Sequence, residues 1–105
     1  MEWLEPWYST EMQDSSFHEN FQKQLLLELP DGHELFGLPV RLIGRGDSDD
    51  SLFEILDGSG RVAVVHLTWT KVQERLPWPS TAIYKHLEAF IEKRMLPDHR
   101  VWIGE

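Results

Sequence analysis

A chain of 105 residues, 41% hydrophobic and 11% aromatic, has apolar material for one domain with a single modest core; its lack of cysteine excludes disulfides, thiolate nucleophiles and thiolate metal sites. The net charge of −8 is unevenly placed: residues 1–36 carry eight acids against Lys23 alone, while residues 37–105 carry ten acids against nine bases. That field disfavours nucleic acid and anionic membrane as partners and favours a basic protein.

In chain order, residues 1–14 form an acidic, aromatic N-terminal arm without a clean period, in which Trp3, Leu4, Trp7 and Tyr8 are expected to fold back over the core. "DSSFHENFQKQLLLELP" predicts a helix capped by Ser15 or Ser16, with Phe17, Phe21, Leu25 and Leu29 at a helical step and Leu26 widening the stripe; Pro30 ends it. "LPVRLIGR", "SLFEIL" and "RVAVVHLTWT" read as three strands. "DGSG" closes a hairpin that sets Leu56 opposite Arg61, so that Phe53 and Ile55 pair with Val64 and Val62. The third strand is apolar on both faces and therefore belongs in the middle of the sheet or under cover on both sides.

"STAIYKHLEAFIEKRM" predicts a second helix with Ser80 as its cap, Ile83, Leu87, Phe90, Ile91 and Met95 as its buried stripe, and Pro97 as its stop. A C-terminal tail, residues 98–105, offers Val101, Trp102 and Ile103 as a short docking strand. The expected architecture is one α+β domain over residues 1–105: an N-terminal helix, a three-stranded antiparallel meander, and a C-terminal helix packed on the sheet.

Phosphate-binding loops are missing, since neither a Gly-rich loop ending in Lys-Ser/Thr nor G-x-G-x-x-G after a strand is present. His18, His33, His66, His86 and His99 show no metal-ligand spacing, and no metal or cofactor is expected. Asp47, Asp49 and Asp50 open like a calcium loop, but the glycine at the sixth position and the glutamate at the twelfth are missing. Arg45-Gly46-Asp47 spells an adhesion tripeptide, in a chain without the secretion signal or disulfide framework of an extracellular protein.

Two features stand out against this thin inventory. His66 shares a face with Val62 and Val64, and Asp50, Glu54 and Asp57 are the carboxylates that could orient it as an acid or base. "HLTWTKVQERLPWP" gathers Trp69, Arg75 and Trp78, residue types enriched at binding hot spots.

The stretch from "LFGLPVRLIGRGDSDDSLFEILDGSGRVAVVHLTWT" through "PWPSTAIYKHLEAFIEKRM" resembles a family of small, uncharacterised bacterial proteins sharing a "DGSGRVAVVHLTW" core and a closing amphipathic helix. The resemblance covers roughly residues 17 to 97, implies one domain in a bacterial cytoplasm, and brings no activity, cofactor or catalytic residue. No apolar run approaches the roughly 18 residues of a membrane span, which also points to a cytoplasmic protein. The leading expectation is a non-enzymatic protein-binding, inhibitor or immunity-type module that meets a basic partner with its acidic arm and its tryptophans, with Trp3, Trp7, Trp69, Arg75 and Trp78 as contacts. The alternative is a small enzyme using His66 with Asp or Glu. A third possibility is self-association through the sheet edge.

Overall fold

Helix α1 (Ser15–Glu28) begins where a side chain can satisfy its free N–H groups. In the computed structural model, which describes residues Met1–Glu105, that side chain is Asp14, one residue ahead of the expected serines: Asp14 Oδ1 accepts from the Phe17 N–H at 2.9 Å and from the Ser16 hydroxyl at 2.8 Å. A carboxylate outcompetes a hydroxyl here because it is a stronger acceptor and also faces the positive end of the helix dipole. Phe21, Leu25 and Leu29 enter the core, with Phe17 partly buried beside them. Leu26 instead points to solvent, because the sheet presents a contact narrower than the predicted stripe.

The sheet is a five-stranded antiparallel meander in sequential order: β1 (Tyr8–Ser9), β2 (Val40–Arg45), β3 (Asp50–Ile55), β4 (Val62–His66) and β5 (Ser80–Tyr84). The expected three strands are its centre. The arm adds β1 at one edge, where Tyr8 pairs with Arg45 and Ser9 with Gly44. At the other edge, Ser80–Tyr84 is a strand and not the first turns of a helix. Thr81, Ile83 and Tyr84 suit a pleated surface, and pairing with β4 satisfies backbone groups that a helix starting at Ser80 would have left open on β4.

The β3–β4 register differs by one residue from the expectation. Ile55, not Leu56, stands opposite Arg61, so Phe53 pairs with Ala63, Leu52 with Val64, and Asp50 with His66. The loop holds five residues, Leu56–Gly60, with Gly58 at φ +84° and Gly60 at φ +78°, conformations that a Cβ disfavours. A one-residue slip exchanges faces. Phe53, Ile55, Ala63 and Val65 thus face α1 together with Leu42 and Leu67, whereas Leu52, Val62 and Val64 face the opposite side with Trp7, Phe90 and Met95. β4 is covered on both faces, as its unbroken apolar run requires.

The second layer comes from the C-terminal helical segment, which runs as α2 (Leu87–Phe90), a π-helical turn (Ile91–Met95) and α3 (Leu96–Trp102). Its cap is His86, whose Nδ1 accepts from the Ala89 N–H at 3.1 Å. Pro97 does not stop it. The wide turn, in which the Leu96 N–H reaches the Ile91 carbonyl, brings the chain to Pro97 near the start of a new helical turn, where a missing N–H is tolerated. Val101 and Trp102 consequently lie on α3, exposed, and form no docking strand.

Candidate functional site

The β4–β5 connection, residues 67–79, combines exposure with a fixed backbone. Trp69 is 40% exposed, Val72 65%, Leu76 55% and Trp78 50%, and Arg75 is exposed among them. Exposed apolar side chains in a polar connection usually sit on mobile chain, because nothing anchors them. Here the anchor is Glu28, the last residue of α1, which is 0% exposed.

Glu28 Oε1 accepts from the Thr68 N–H at 2.9 Å and the Thr68 hydroxyl at 3.0 Å. Its Oε2 accepts from the Trp69 N–H at 2.9 Å and from Gln24 Nε2 at 2.7 Å. The Glu28 carbonyl takes the Glu74 N–H, and the Leu29 carbonyl takes Gln73 Nε2, each at 3.0 Å. A buried carboxylate is tolerable only with such a full set of donors. These bonds hold Trp69 at φ +58°, a left-handed conformation rare for a bulky residue, and set its indole edge-on against Phe21 with ring centroids 5.1 Å apart.

Beside the Trp69 indole lies a groove of about 370 Å³ between it and α1, lined by Phe17, Phe21, Gln24, Leu27 and Lys23. Further along, the turn after α1 closes on the connection through His33, whose Nε2 meets the Pro79 carbonyl at 3.0 Å and whose Nδ1 accepts from the Leu35 N–H at 3.1 Å. Asp31 and Glu34 are exposed on that turn. Nothing in the sequence set Glu28 apart from the other seven acids of the first third; only its burial beneath the connection does.

The tryptophans named from sequence do not form one surface. Trp7 is 1% exposed, a core residue packed edge-on against Phe90 at 5.0 Å and donating Nε1–H to Asp98 Oδ2 at 2.8 Å. Trp3 is partly buried against the same cluster. The arm supplies one edge strand of the sheet, β1, and the connection leads into the other, β5.

His66 meets Asp50, its direct cross-strand neighbour, with Nδ1 to Oδ1 at 2.9 Å. Asp50 Oδ2 also accepts from Arg94 at 2.8 Å, and the Arg94 Nε–H donates to Asp98 Oδ2 at 3.0 Å, so a polar chain runs from His66 to Trp7 across the second face. Burial works to lower the Arg94 pKa, and hydrogen bonds to Asp98 and Tyr84 together with the charges of Asp98 and Asp50 outweigh it, so the net shift is upward. Ser80 occupies the same rung one strand further, completing Asp50, His66 and Ser80 across β3, β4 and β5. No side-chain hydrogen bond joins the Ser80 hydroxyl to the His66 ring, and the depression between them measures only about 110 Å³. Acyl transfer needs both that bond and donors for an oxyanion.

The stretch 44–50, the end of β2, a four-residue loop and the first residue of β3, serves the fold. Arg45 turns its guanidinium over Phe21, 4.8 Å from the ring centroid, and donates to the Ser48 carbonyl. Asp47 accepts from the Ser48 N–H and Asp50 belongs to the His66 network, so the carboxylates diverge. No group of three or more His, Asp or Glu side chains converges as a metal site, and no helix is long and apolar enough to cross a membrane. No protein-family model, no curated protein and no solved structure matches this chain.

Proposed function

We propose that this protein is a non-enzymatic binding module of the inhibitor or immunity type, and that its contact surface is the β4–β5 connection with the adjoining Trp69 groove. One observation carries the reading: four large apolar side chains, Trp69, Val72, Leu76 and Trp78, are exposed on a segment that buried Glu28 holds in place. Preorganised aromatic anchors lose little conformational entropy on binding, which is the condition for hot spots. Asp31, Glu34 and Glu74 stand on this surface beside Lys23, Lys71 and Arg75, so a preference for a basic partner comes from the −8 net charge of the whole chain.

The test places a photo-crosslinking residue at Val72, the most exposed of the four. Irradiation should trap one defined protein, the adduct should disappear in Trp69→Ala and Trp78→Ala, and capture should weaken as salt rises. Undiminished capture by both variants would sink the proposal.

A second reading, an enzyme using His66 with Asp50, is favoured by the 2.9 Å contact that orients the imidazole and leaves Nε2 toward solvent. It requires a reaction, found by screening ester and phosphoester substrates, that His66→Ala and Asp50→Asn both abolish.

A further inference from the structure

The strand β5 closes the sheet on one side, and its outer backbone groups have no partner. Their direction follows from the ladder. The Ile55 N–H bonds to the Arg61 carbonyl and the Leu67 N–H to the Asp49 carbonyl, so odd-numbered β4 residues turn their backbone groups toward β3. Val62, Val64 and His66 therefore bond to their β5 partners Tyr84, Ala82 and Ser80. Thr81 and Ile83 are left pointing away from the sheet, and no turn, loop or side chain bonds to their N–H or carbonyl groups.

Natural edges of this kind are guarded by charges, prolines or bulges. The arm edge is guarded by being only two residues long and by the bulge between Leu42 and Gly44 in the strand beneath it. By contrast, Ser80-Thr81-Ala82-Ile83-Tyr84 has no charge, no glycine, no proline and no bulge.

We infer that β5 pairs antiparallel with β5 of a second copy of this chain, joining two five-stranded sheets into one of ten. The strand is complementary to itself about a two-fold axis at Ala82. Thr81 of each copy then exchanges backbone bonds with Ile83 of the other, using both unpaired residues on both sides. Ala82 faces its own mate in the non-hydrogen-bonded pair, where backbones approach most closely and a methyl group fits. The ends are complementary in charge. Lys85 of one copy comes opposite Pro79 of the other, beside Trp78 and the turn bearing Asp31 and Glu34, which His33 holds against the Pro79 carbonyl. The two Lys85 residues stay at opposite ends of the seam. The net charge of −8 per chain repels, so added salt strengthens the pairing.

The test is sedimentation equilibrium of the full chain, with circular dichroism as a control for folding. Wild type is expected to be a dimer at about 100 µM, more so at 0.5 M than at 0.05 M salt. Ile83→Pro removes an N–H that the monomer does not use, so it should keep the spectrum and sediment as a monomer. Should that variant unfold, Lys85→Glu, which leaves the strand untouched, should raise the dissociation constant at least about tenfold. A monomeric wild type at both salts overturns the inference, as does a dimer that both variants leave intact. A monomer that binds a foreign partner through the connection also overturns it, while leaving the proposed function standing.

Discussion

The Trp69 N–H donates to Glu28 Oε2 at 2.9 Å, and this bond links the end of α1 to the one bulky residue of the chain held at positive φ. With its Oε1 bonds to Thr68, Glu28 clamps the connection to the end of α1, whose C-cap is the next residue, Leu29. Glu28→Ala should destabilise the fold by about 2–4 kcal/mol, because it empties a fully buried site and removes the acceptor of the partly buried Thr68 and Trp69 N–H groups and of the Gln24 amide. Glu28→Gln keeps the shape but presents an amide NH2 to donors, and should fall between the two. Urea denaturation followed by tryptophan fluorescence measures both, and a loss below about 1 kcal/mol for Glu28→Ala would show that the clamp is dispensable.

Gly46 is small because Trp7 is large. A Cβ at Gly46 would lie 2.8 Å from the Trp7 ring, itself wedged against Phe90 and bonded to Asp98. Gly46→Ala should cost about 1–3 kcal/mol, as overpacking against a rigid core ring does. Gly37→Ala, a position where an added Cβ meets nothing within 4 Å, controls for backbone effects, although its φ of +81° carries its own strain. Equal losses in the two variants would remove the collision with Trp7 as the cause.

Asp57 makes the 56–60 hairpin sensitive to acid. Hydrogen bonds from the Ser59 hydroxyl, the Ser59 N–H and Arg61, in that order of size, lower its pKa from 3.8 to about 2. A carboxylate with a depressed folded pKa contributes its stabilisation fully above 3.8, and the contribution is lost as pH falls toward about 2. Asp57→Asn should therefore flatten the pH dependence of stability in that window and leave its slope above pH 4 unchanged. Side-chain carboxyl NMR shifts of Asp57 read the pKa directly, and a midpoint near the ordinary 3.8 contradicts the geometry.

Arg94 separates Asp50 from Asp98 and covers the Trp7 ring at 5.8 Å. Arg94→Met keeps much of the apolar stem and removes the charge, so two partly buried carboxylates lose their cation. The loss should be about 1–3 kcal/mol near neutrality. His66→Ala, at an exposed end of the same chain, should cost under about 1 kcal/mol. Thermal melts at pH 7 separate the two variants, and equal losses would show that the Arg94 charge does not matter.

Much of the α1 face was legible because a helix with Phe21, Leu25 and Leu29 at its own period has one way to bury them. β4 was legible for a related reason, since four consecutive buried residues need cover on both sides. Ser80–Tyr84 misled because Ile83 extends the period of Leu87, Phe90 and Ile91 backwards, and only the unfilled side of β4 tips the choice to strand. The hairpin register misled because four- and five-residue loops read alike around "DGSG". Of the candidate site, Trp69, Arg75 and Trp78 were visible as residue types, but Trp7 looked the same and is core.

The sequence by itself determined the α+β class, a central hydrophobic strand and a first helix ended by Pro30, because periodicity and backbone propensity act over a few neighbouring residues. The tertiary structure alone decided which acid is buried, which tryptophans are exposed, and that the arm supplies one edge strand of the sheet and Ser80–Tyr84 the other. Those outcomes depend on partners 40 or more residues away, such as Glu28 with Thr68 and Trp7 with Asp98, which no local pattern encodes.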